Sequence, residues 1–178
     1  MILPIRYYGD PVLRKRCEPI LEITDEIRQL VADMIETMNA HNGLGLAAPQ
    51  VGHLVRLFVL REYLTEEDGD EEELRLSEPK VYINPKITNP SDELISDVEG
   101  CLSIPEIKYP VFRPLKITVT ATDLEGKEFT EELEDYNARI RMHENDHING
   151  VLFIDRLEPD FKKKIDPILV AIKKKYSK

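Results

Sequence analysis

Two histidines four residues apart form the most specific chemical pattern in the sequence. His143 and His147 enclose Glu144 in the segment HENDH, an H-E-x-x-H pattern. On a helix, residues i and i+4 lie on one face a turn apart, so both imidazoles can bind the same metal ion. Glu144 lies beside them, close enough to reach a water molecule bound to that ion. Tyr136 and Ile140 continue the same stripe toward the core, where an imidazole needs a partner. The pattern predicts a metal site.

Two residues are candidates for the third protein ligand. The extended metzincin pattern would place a histidine at position 153, which is Phe153, so that class is excluded. Glu158 is the nearest downstream carboxylate, but it closely follows the expected end of the helix. Cys101 lies in EGCLS, where Gly100 provides a tight backbone that can present a thiolate. Because a lone cysteine is more often a small buried hydrophobe, both candidates stay open at this point.

A third segment is rich in small residues. It reads GLGLAAPQ at 43–50. Its glycines and alanines would let the backbone approach a ligand or the metal-binding helix closely. A tight connection from a helix to a strand is an equally good interpretation. The segment is not a phosphate-binding loop, because no Gly-Lys-Ser/Thr follows it.

Helices and short strands must position these segments. A helix is predicted over 24–41, with one apolar stripe of Ile27, Leu30, Val31, Met34, Ile35 and Met38. A second helix over 136–148 carries HENDH. Strands are predicted over 54–60, 81–83, 93–98, 116–122 and 127–133, and the last two form a hairpin. A helical tail is predicted from Pro159 onward. Within it, Pro167 must either start a new helical segment or kink the helix. Strands followed by a helix, without βαβ alternation, predict an α+β fold.

Composition excludes several classes of protein. The 178 residues are 42% hydrophobic and 33% charged, which predicts a single globular domain over 1–178. No apolar run approaches the roughly 18 residues that cross a membrane, and no secretory signal is evident, so the expected compartment is the cytoplasm. With only Cys17 and Cys101, no disulfide is expected. A net charge of −10 argues against nucleic-acid binding by the body of the protein.

Charge is unevenly spread along the chain. Residues 161–178 carry seven lysines against Asp166, a balance of +6, which leaves −16 for the other 160 residues. The apolar residues 168–172 separate the lysines, so this basic tail can dock as a helix with its lysines outward. Either an interaction with an anionic surface or a solvated helix without a partner fits the pattern. An acidic stretch at 66–78 is predicted to be a solvated loop.

Taken together, the three chemical segments resemble the signature motifs of the peptide deformylases. The family pattern is GxGLAAxQ, EGCLS and HExDH, and the chain has GLGLAAPQ, EGCLS and HENDH in that order. The resemblance extends from the N-terminus to about Leu157. Met142 and Asp135 depart from it, since many members have Gln and Gly there. The resemblance implies an α+β fold, with antiparallel sheets around a central helix that carries the H-E-x-x-H motif, followed by a C-terminal helix.

The resemblance also implies the metal ligands. Cys101, His143 and His147 would hold one divalent ion, with water as the fourth ligand. Glu99 resembles the family's carboxylate that contacts a metal ligand rather than the ion itself. A Cys/His/His set by itself suggests zinc. The resemblance implies ferrous iron in the cell, replaceable by zinc, nickel or cobalt.

The implied reaction is removal of the N-formyl group from the formyl-methionine of newly made polypeptides. Glu144 resembles the general base and acid of this hydrolysis. Gln50 and the backbone N–H of Leu102 resemble the donors to the oxyanion, and Gly45 and Gly100 resemble backbone contacts to the substrate. The basic tail of residues 161–178 would then be a contact with the RNA-rich ribosome that delivers the substrate.

Two other classes of protein also fit the residue pattern. A thermolysin-type zinc endopeptidase shares H-E-x-x-H but needs a downstream ligand such as Glu158. A metal-stabilised binding module would close the fourth coordination position with another protein ligand. His41 and His53 are the only histidines left for that role.

Overall fold

The computed structural model describes residues 1–64 and 75–177. Its helices are α1 (Asp25–Ala40), α2 (Asp135–Ile148) and α3 (Pro159–Tyr176). Its strands are β1 (Gly45–Ala47), β2 (Leu57–Leu60), β3 (Tyr63–Leu64), β4 (Arg75–Leu76), β5 (Lys80–Thr88), β6 (Leu94–Cys101), β7 (Ile104–Pro114), β8 (Lys116–Thr122) and β9 (Glu128–Glu134). Most of the acidic stretch predicted at 66–78 lies outside the described residues.

The strands of the described residues form three antiparallel sheets. Five strands pair in the order β1-β2-β5-β8-β9, while β3-β4 and β6-β7 form two-stranded sheets. The predicted β8–β9 hairpin is confirmed, with Lys116 opposite Glu134 and Thr122 opposite Glu128. Its turn closes at Gly126, whose φ of 84° suits a residue without a Cβ. The antiparallel α+β architecture is thus confirmed.

The helix α1 matches its prediction closely. The side chain of Thr24 caps it by accepting a hydrogen bond from the backbone N–H of Ile27 at 3.3 Å, and the helix ends at Ala40. Of its apolar stripe, Leu30, Val31, Met34 and Met38 are buried. This face packs on β1 and β2. The helix α1 therefore covers β1, which lies in the segment of small residues at 43–50.

The helix α2 lies between the sheets, as the predicted fold requires. It contacts β1, β2, β5, β8 and β9 of the large sheet and β7 of the small one. On one side, Ala138 and Ile140 pack in a cluster with Phe58 and Val119. Asp135, at the start of α2, has a φ of 56°. This left-handed backbone gives a physical reason for the glycine of the family pattern at that position.

An ionic contact also anchors α2. Arg141 is fully buried and donates to the hydroxyl oxygen of Tyr82 at 2.8 Å. It also forms a 2.6 Å ion pair with Glu62. Removing one partner of a buried pair typically costs about 3–5 kcal/mol, so these contacts hold the helix firmly in place.

The strand β7 was not predicted. Its sequence contains Pro105, Pro110 and Pro114, which argue against a central strand because proline donates no ladder hydrogen bond. Among the described strands β7 pairs with β6 alone, in a two-stranded sheet that tolerates those prolines. The predicted strand at 93–98 also continues to Cys101, so a longer hairpin than expected carries the EGCLS segment.

The helix α3 runs through Pro167 as one element, so of the two alternatives predicted for Pro167, the start of a new segment is excluded. Ile165, Leu169 and Ile172 are buried in an apolar cluster with residues of β7. The ring of Tyr176 stacks on Tyr7 with centroids 3.8 Å apart. The lysines at 162–164 and 173–175 are exposed, as predicted. The helices among the described residues include no candidate membrane span.

Candidate metal centre and active-site cleft

Three side chains predicted as metal ligands meet at one point. The ligand atoms of Cys101, His143 and His147 all lie within 4.8 Å of one another. The Cys101 Sγ and His147 Nε2 atoms are 3.3 Å apart. Glu158, the alternative third ligand, does not belong to this group, and neither do His41 and His53.

Two elements bring these ligands together. His143 and His147 lie a turn apart on α2, with ring centroids separated by 5.1 Å. Cys101 is the last residue of β6, where it faces Ile104 across the tight turn into β7. The site therefore depends on the contact between α2 and the β6–β7 hairpin, which no local pattern in the sequence encodes.

Glu99 holds the ring of His143 from behind. Its Oε1 lies 2.8 Å from His143 Nδ1, which directs Nε2 of that ring toward the other ligands. Arg113 donates to both carboxylate oxygens at 2.6 and 2.8 Å, and Arg139 donates to Oε2 at 2.6 Å. Burial alone raises the pKa of Glu99, but the hydrogen bonds from Arg113 and His143 outweigh it and hold that pKa well below its usual range. Glu99 therefore stays ionised.

The same network continues to Asp146, which the sequence analysis missed. Arg113 donates to Asp146 Oδ2 at 3.0 Å, and Arg156 donates to both oxygens of Asp146 at 2.7 Å. Arg139 also donates to the backbone oxygens of Val111 and Ile95, at 2.9 and 2.8 Å, and thereby ties β6 and β7 to α2. The signal was present in HENDH, since an aspartate beside a core-facing histidine needs a buried partner.

Gln50 is fixed at both ends of its amide. Its Oε1 accepts from the backbone N–H of Ala47 at 2.9 Å. Its Nε2 donates to Ser103 Oγ at 3.1 Å and approaches Cys101 Sγ at 3.4 Å. The donor end therefore points to the ligand cluster. Ser103, buried and assigned no role from the sequence, orients that end.

Glu144 lies beside the ligands without joining them. Its Oε1 is 4.0 Å from His143 Nε2, and its buried Oε2 has no hydrogen-bond partner among the described residues. Burial raises the pKa of Glu144 to about 7. A Cβ on Gly45 would lie 2.6 Å from Glu144 Oε1, so any side chain at position 45 would displace the Glu144 carboxylate. The prediction that the small residues allow close approach to the metal-binding helix is confirmed.

A cavity of about 460 Å³ opens onto these groups. Its lining includes eight of the residues predicted from the sequence: Gly45, Gln50, Glu99, Gly100, Cys101, Leu102, His143 and Glu144. His147 completes the ligand cluster from the next turn of α2. Leu102 stands in the turn between β6 and β7, and its Cδ1 would lie 3.0 Å from a Cβ on Gly43. The cavity therefore passes between the glycine segment and the β6–β7 hairpin.

The donor set fits a divalent metal ion. Burial lowers the pKa of His147 well below its ordinary value. Burial also lowers that of His143, but hydrogen bonds to Cys101 and Glu99 outweigh it and raise the pKa of His143, so a bound ion would have to displace a proton there. One thiolate and two imidazoles are typical ligands of divalent transition metals and leave a position open for chemistry. An unpaired carboxylate oxygen beside such a group, in a cleft, is typical of metal-dependent hydrolases. The fold and the site define a protein of that class.

Comparison with known proteins defines the family. A family model described as polypeptide deformylase matches residues 2–163. The peptide deformylase of Chlorobaculum parvum is 43% identical over 173 residues, which cover 97% of this chain and 89% of that protein. The crystal structure of the peptide deformylase from Thermus thermophilus is 40% identical, with a TM-score of 0.85, and covers 98% of this chain and 99% of that one. That from Thermotoga maritima is 42% identical, with a TM-score of 0.77, over 89% and 99%. The chain belongs to the peptide deformylase family, whose members remove the N-formyl group from nascent peptides.

Proposed function

We propose that this chain removes the formyl group from the N-terminal formyl-methionine of newly made polypeptides and releases formate. The observation that carries the proposal is the cluster of Cys101, His143 and His147 at the wall of a cleft. The same cleft holds a Glu144 oxygen that has no hydrogen-bond partner among the described residues. Residues 1–178 act in this proposal as one catalytic domain, which is supported by the packing of α3 on β7. The reaction belongs to the cytoplasm, where nascent chains are made.

Cys101, His143 and His147 would hold the ion. When bound, the ion acts as a Lewis acid and lowers the pKa of water toward neutrality. Glu99 keeps the His143 ring in its binding orientation through the 2.8 Å contact to Nδ1. Removal of such a supporting carboxylate typically costs about 10–100-fold in metal affinity.

Glu144 transfers protons in the proposed reaction. It takes a proton from the attacking water and returns one to the amine nitrogen that leaves as the formyl C–N bond breaks. Its position supports both steps, because its Oε1 faces His143 and its Oε2 is free of protein partners among the described residues. Gly45 supports the same role, since its missing side chain makes room for the carboxylate.

Gln50 and Leu102 stabilise the oxyanion that forms on the formyl oxygen. The Gln50 amide supports this role because its donor end is held toward Cys101. The backbone N–H of Leu102 follows Cys101 directly in the turn that borders the cleft. Losing one such donor typically costs about 10²–10³ in rate. Gly45 and Gly100, without side chains, let the substrate backbone approach both walls of the cleft.

The proposed reaction is tested with purified protein and a formyl-Met tripeptide. We expect formate and the free amine to appear in equal amounts. The matched N-acetyl-Met tripeptide and an internal peptide bond should be cleaved far more slowly. Preferential cleavage of internal bonds would instead identify an endopeptidase and overturn the proposal.

We further propose that the ion in the cell is ferrous iron. The family resemblance supports iron. Fe²⁺ can donate an electron to dissolved O₂, and the reactive oxygen species that result would oxidise the Cys101 thiolate, whereas redox-inactive Zn²⁺ starts no such reaction. The iron-loaded protein should lose formate release on exposure to air, while the zinc- and nickel-loaded forms keep it far longer. Cys17→Ala should leave this sensitivity unchanged, since Cys17 is buried away from the ligand cluster. Equal air stability of all three forms would contradict a thiolate-bound iron site.

We also propose that α3 is a contact with the ribosome. Six of its lysines are exposed, and the body of the protein is strongly acidic. Truncation would remove Ile165, Leu169 and Ile172 from their apolar cluster, so substitution is the cleaner experiment. The triple substitution of Lys162, Lys163 and Lys174 by Gln should weaken co-sedimentation with ribosomes and reduce the slope of log affinity against log salt by about 3.

The matched control for α3 replaces three exposed lysines elsewhere, namely Lys86, Lys116 and Lys127, by Gln. This control has the same net charge as the α3 variant. Hydrolysis of the tripeptide should stay unchanged in both proteins. If the two proteins sediment with ribosomes equally across the salt series, α3 is not the contact.

A further inference from the structure

One face of the β6–β7 hairpin carries a row of exposed apolar side chains. Leu94, Val98 and Phe112 are 57%, 49% and 54% exposed. The register of the two strands sets six residues on this face, which we call the apolar strip: Leu94, Ser96, Val98, Pro110, Phe112 and Pro114. None of the six is charged, although 33% of the chain is. A contiguous apolar surface of this kind typically marks an interaction site.

The opposite face of the hairpin packs against the rest of the protein through several of its residues. Val111 and Arg113 are buried, and Arg139 of α2 donates to the backbone oxygens of Ile95 and Val111. The hairpin is therefore held from behind by a hydrogen-bonded ionic network. The apolar strip is presented on a rigid support, so binding to it does not require the hairpin to become ordered first.

The apolar strip leads directly into the active-site cleft. Gly100 and Lys108 follow the strip where the strand register shifts after Glu99, and both line the cavity. The Lys108 Cγ atom lies 3.1 Å from the position of a Cβ on Gly100, so the two residues are neighbours. From Gly100 back to Leu94 a strand rises roughly 20 Å, which an extended peptide covers with about six residues.

We propose that the apolar strip binds the part of the formylated polypeptide that follows the residues held in the cleft, and that it favours apolar side chains there. This inference rests on the proposed deformylation, because the cleft fixes the first residue of the same chain. Once that residue is bound, the following segment of the polypeptide is tethered beside the apolar strip. Even weak apolar contacts between the segment and the strip then form readily. Since the strip lacks charges, we expect it to select hydrophobicity rather than charge.

The test compares two formylated dodecapeptides. Both begin with the same four residues, and positions 5–10 carry Leu, Val and Phe in one peptide and Ser, Thr and Gln in the other. The wild-type protein should show a kcat/KM about five- to tenfold higher for the apolar peptide, mainly through KM, which is the effect of burying roughly half a phenylalanine side chain. Phe112→Ser should abolish this preference, and Val98→Thr should reduce it.

Two controls separate this inference from the proposed function. The formyl-Met tripeptide should be hydrolysed equally by wild type and both variants, and Val170→Ser, which alters another exposed apolar residue, should keep the dodecapeptide preference. A wild-type protein without any preference, or a Phe112→Ser variant that keeps it, overturns the inference while tripeptide hydrolysis stands. A dimer in sedimentation that Phe112→Ser dissociates would assign the strip to self-association and also overturn the inference. Failure on the tripeptide itself would instead refute the proposed function.

Discussion

Glu144→Gln should lower the rate of formate release by about 10³-fold while the bound ion stays in place. Proton transfer by a positioned side chain is typically worth about 10²–10⁴-fold, and an amide cannot perform it. The ion should remain because Glu144 is not among the three clustered ligands. The measurement combines formate release with the metal content of the same purified sample.

Gly45→Ala supplies an independent check on the position of Glu144. The added methyl carbon would lie 2.6 Å from Glu144 Oε1, so the carboxylate must move. Activity should fall sharply although no catalytic group has been removed, and the metal content should again match that of the wild type.

If Glu144→Gln releases the ion, or if it remains fully active, the role assigned to Glu144 is wrong.

Cys101→Ser should reduce the affinity for the ion by more than about 100-fold and abolish formate release at ordinary ion concentrations. Loss of a group that only orients a ligand already lowers metal affinity by about 10–100-fold. Loss of the ligand itself should therefore lower metal affinity further. Metal content after dialysis against a weak chelator measures the effect. Cys17→Ala is the matched control and should retain the ion, because Cys17 lies in a different apolar cluster.

Retention of the ion by Cys101→Ser would point to a third ligand downstream of α2, as in thermolysin-type proteases. Glu158 would then be the residue to test. The structure makes this outcome unexpected, because Glu158 is exposed and outside the ligand group.

The features that the sequence predicted are those set by local patterns. The helix α1 follows from a continuous apolar stripe and the cap at Thr24, and β8–β9 follows from alternation around a turn. The pair His143 and His147 was recognisable because both residues lie on one helix, where spacing alone fixes their relative position.

The features that the sequence did not predict depend on contacts between distant segments. Spacing alone left Cys101 and Glu158 as alternatives, and the family resemblance favoured Cys101. The packing of the β6–β7 hairpin against α2 brings Cys101 to the two histidines. The bonds from Arg113 to Glu99 and Asp146 span 14 and 33 residues of sequence. Such partners become visible only when the fold brings them together.

One ion held by Cys101, His143 and His147 should be sufficient to make this chain a deformylase. Titration of the metal-free protein with ferrous iron, under anaerobic conditions, measures this. Formate release from a formyl-Met tripeptide should be absent at first, rise linearly with added iron and level off at one ion per chain. Full activity in the metal-free protein, or none at any iron content while the protein remains folded, would contradict the claim.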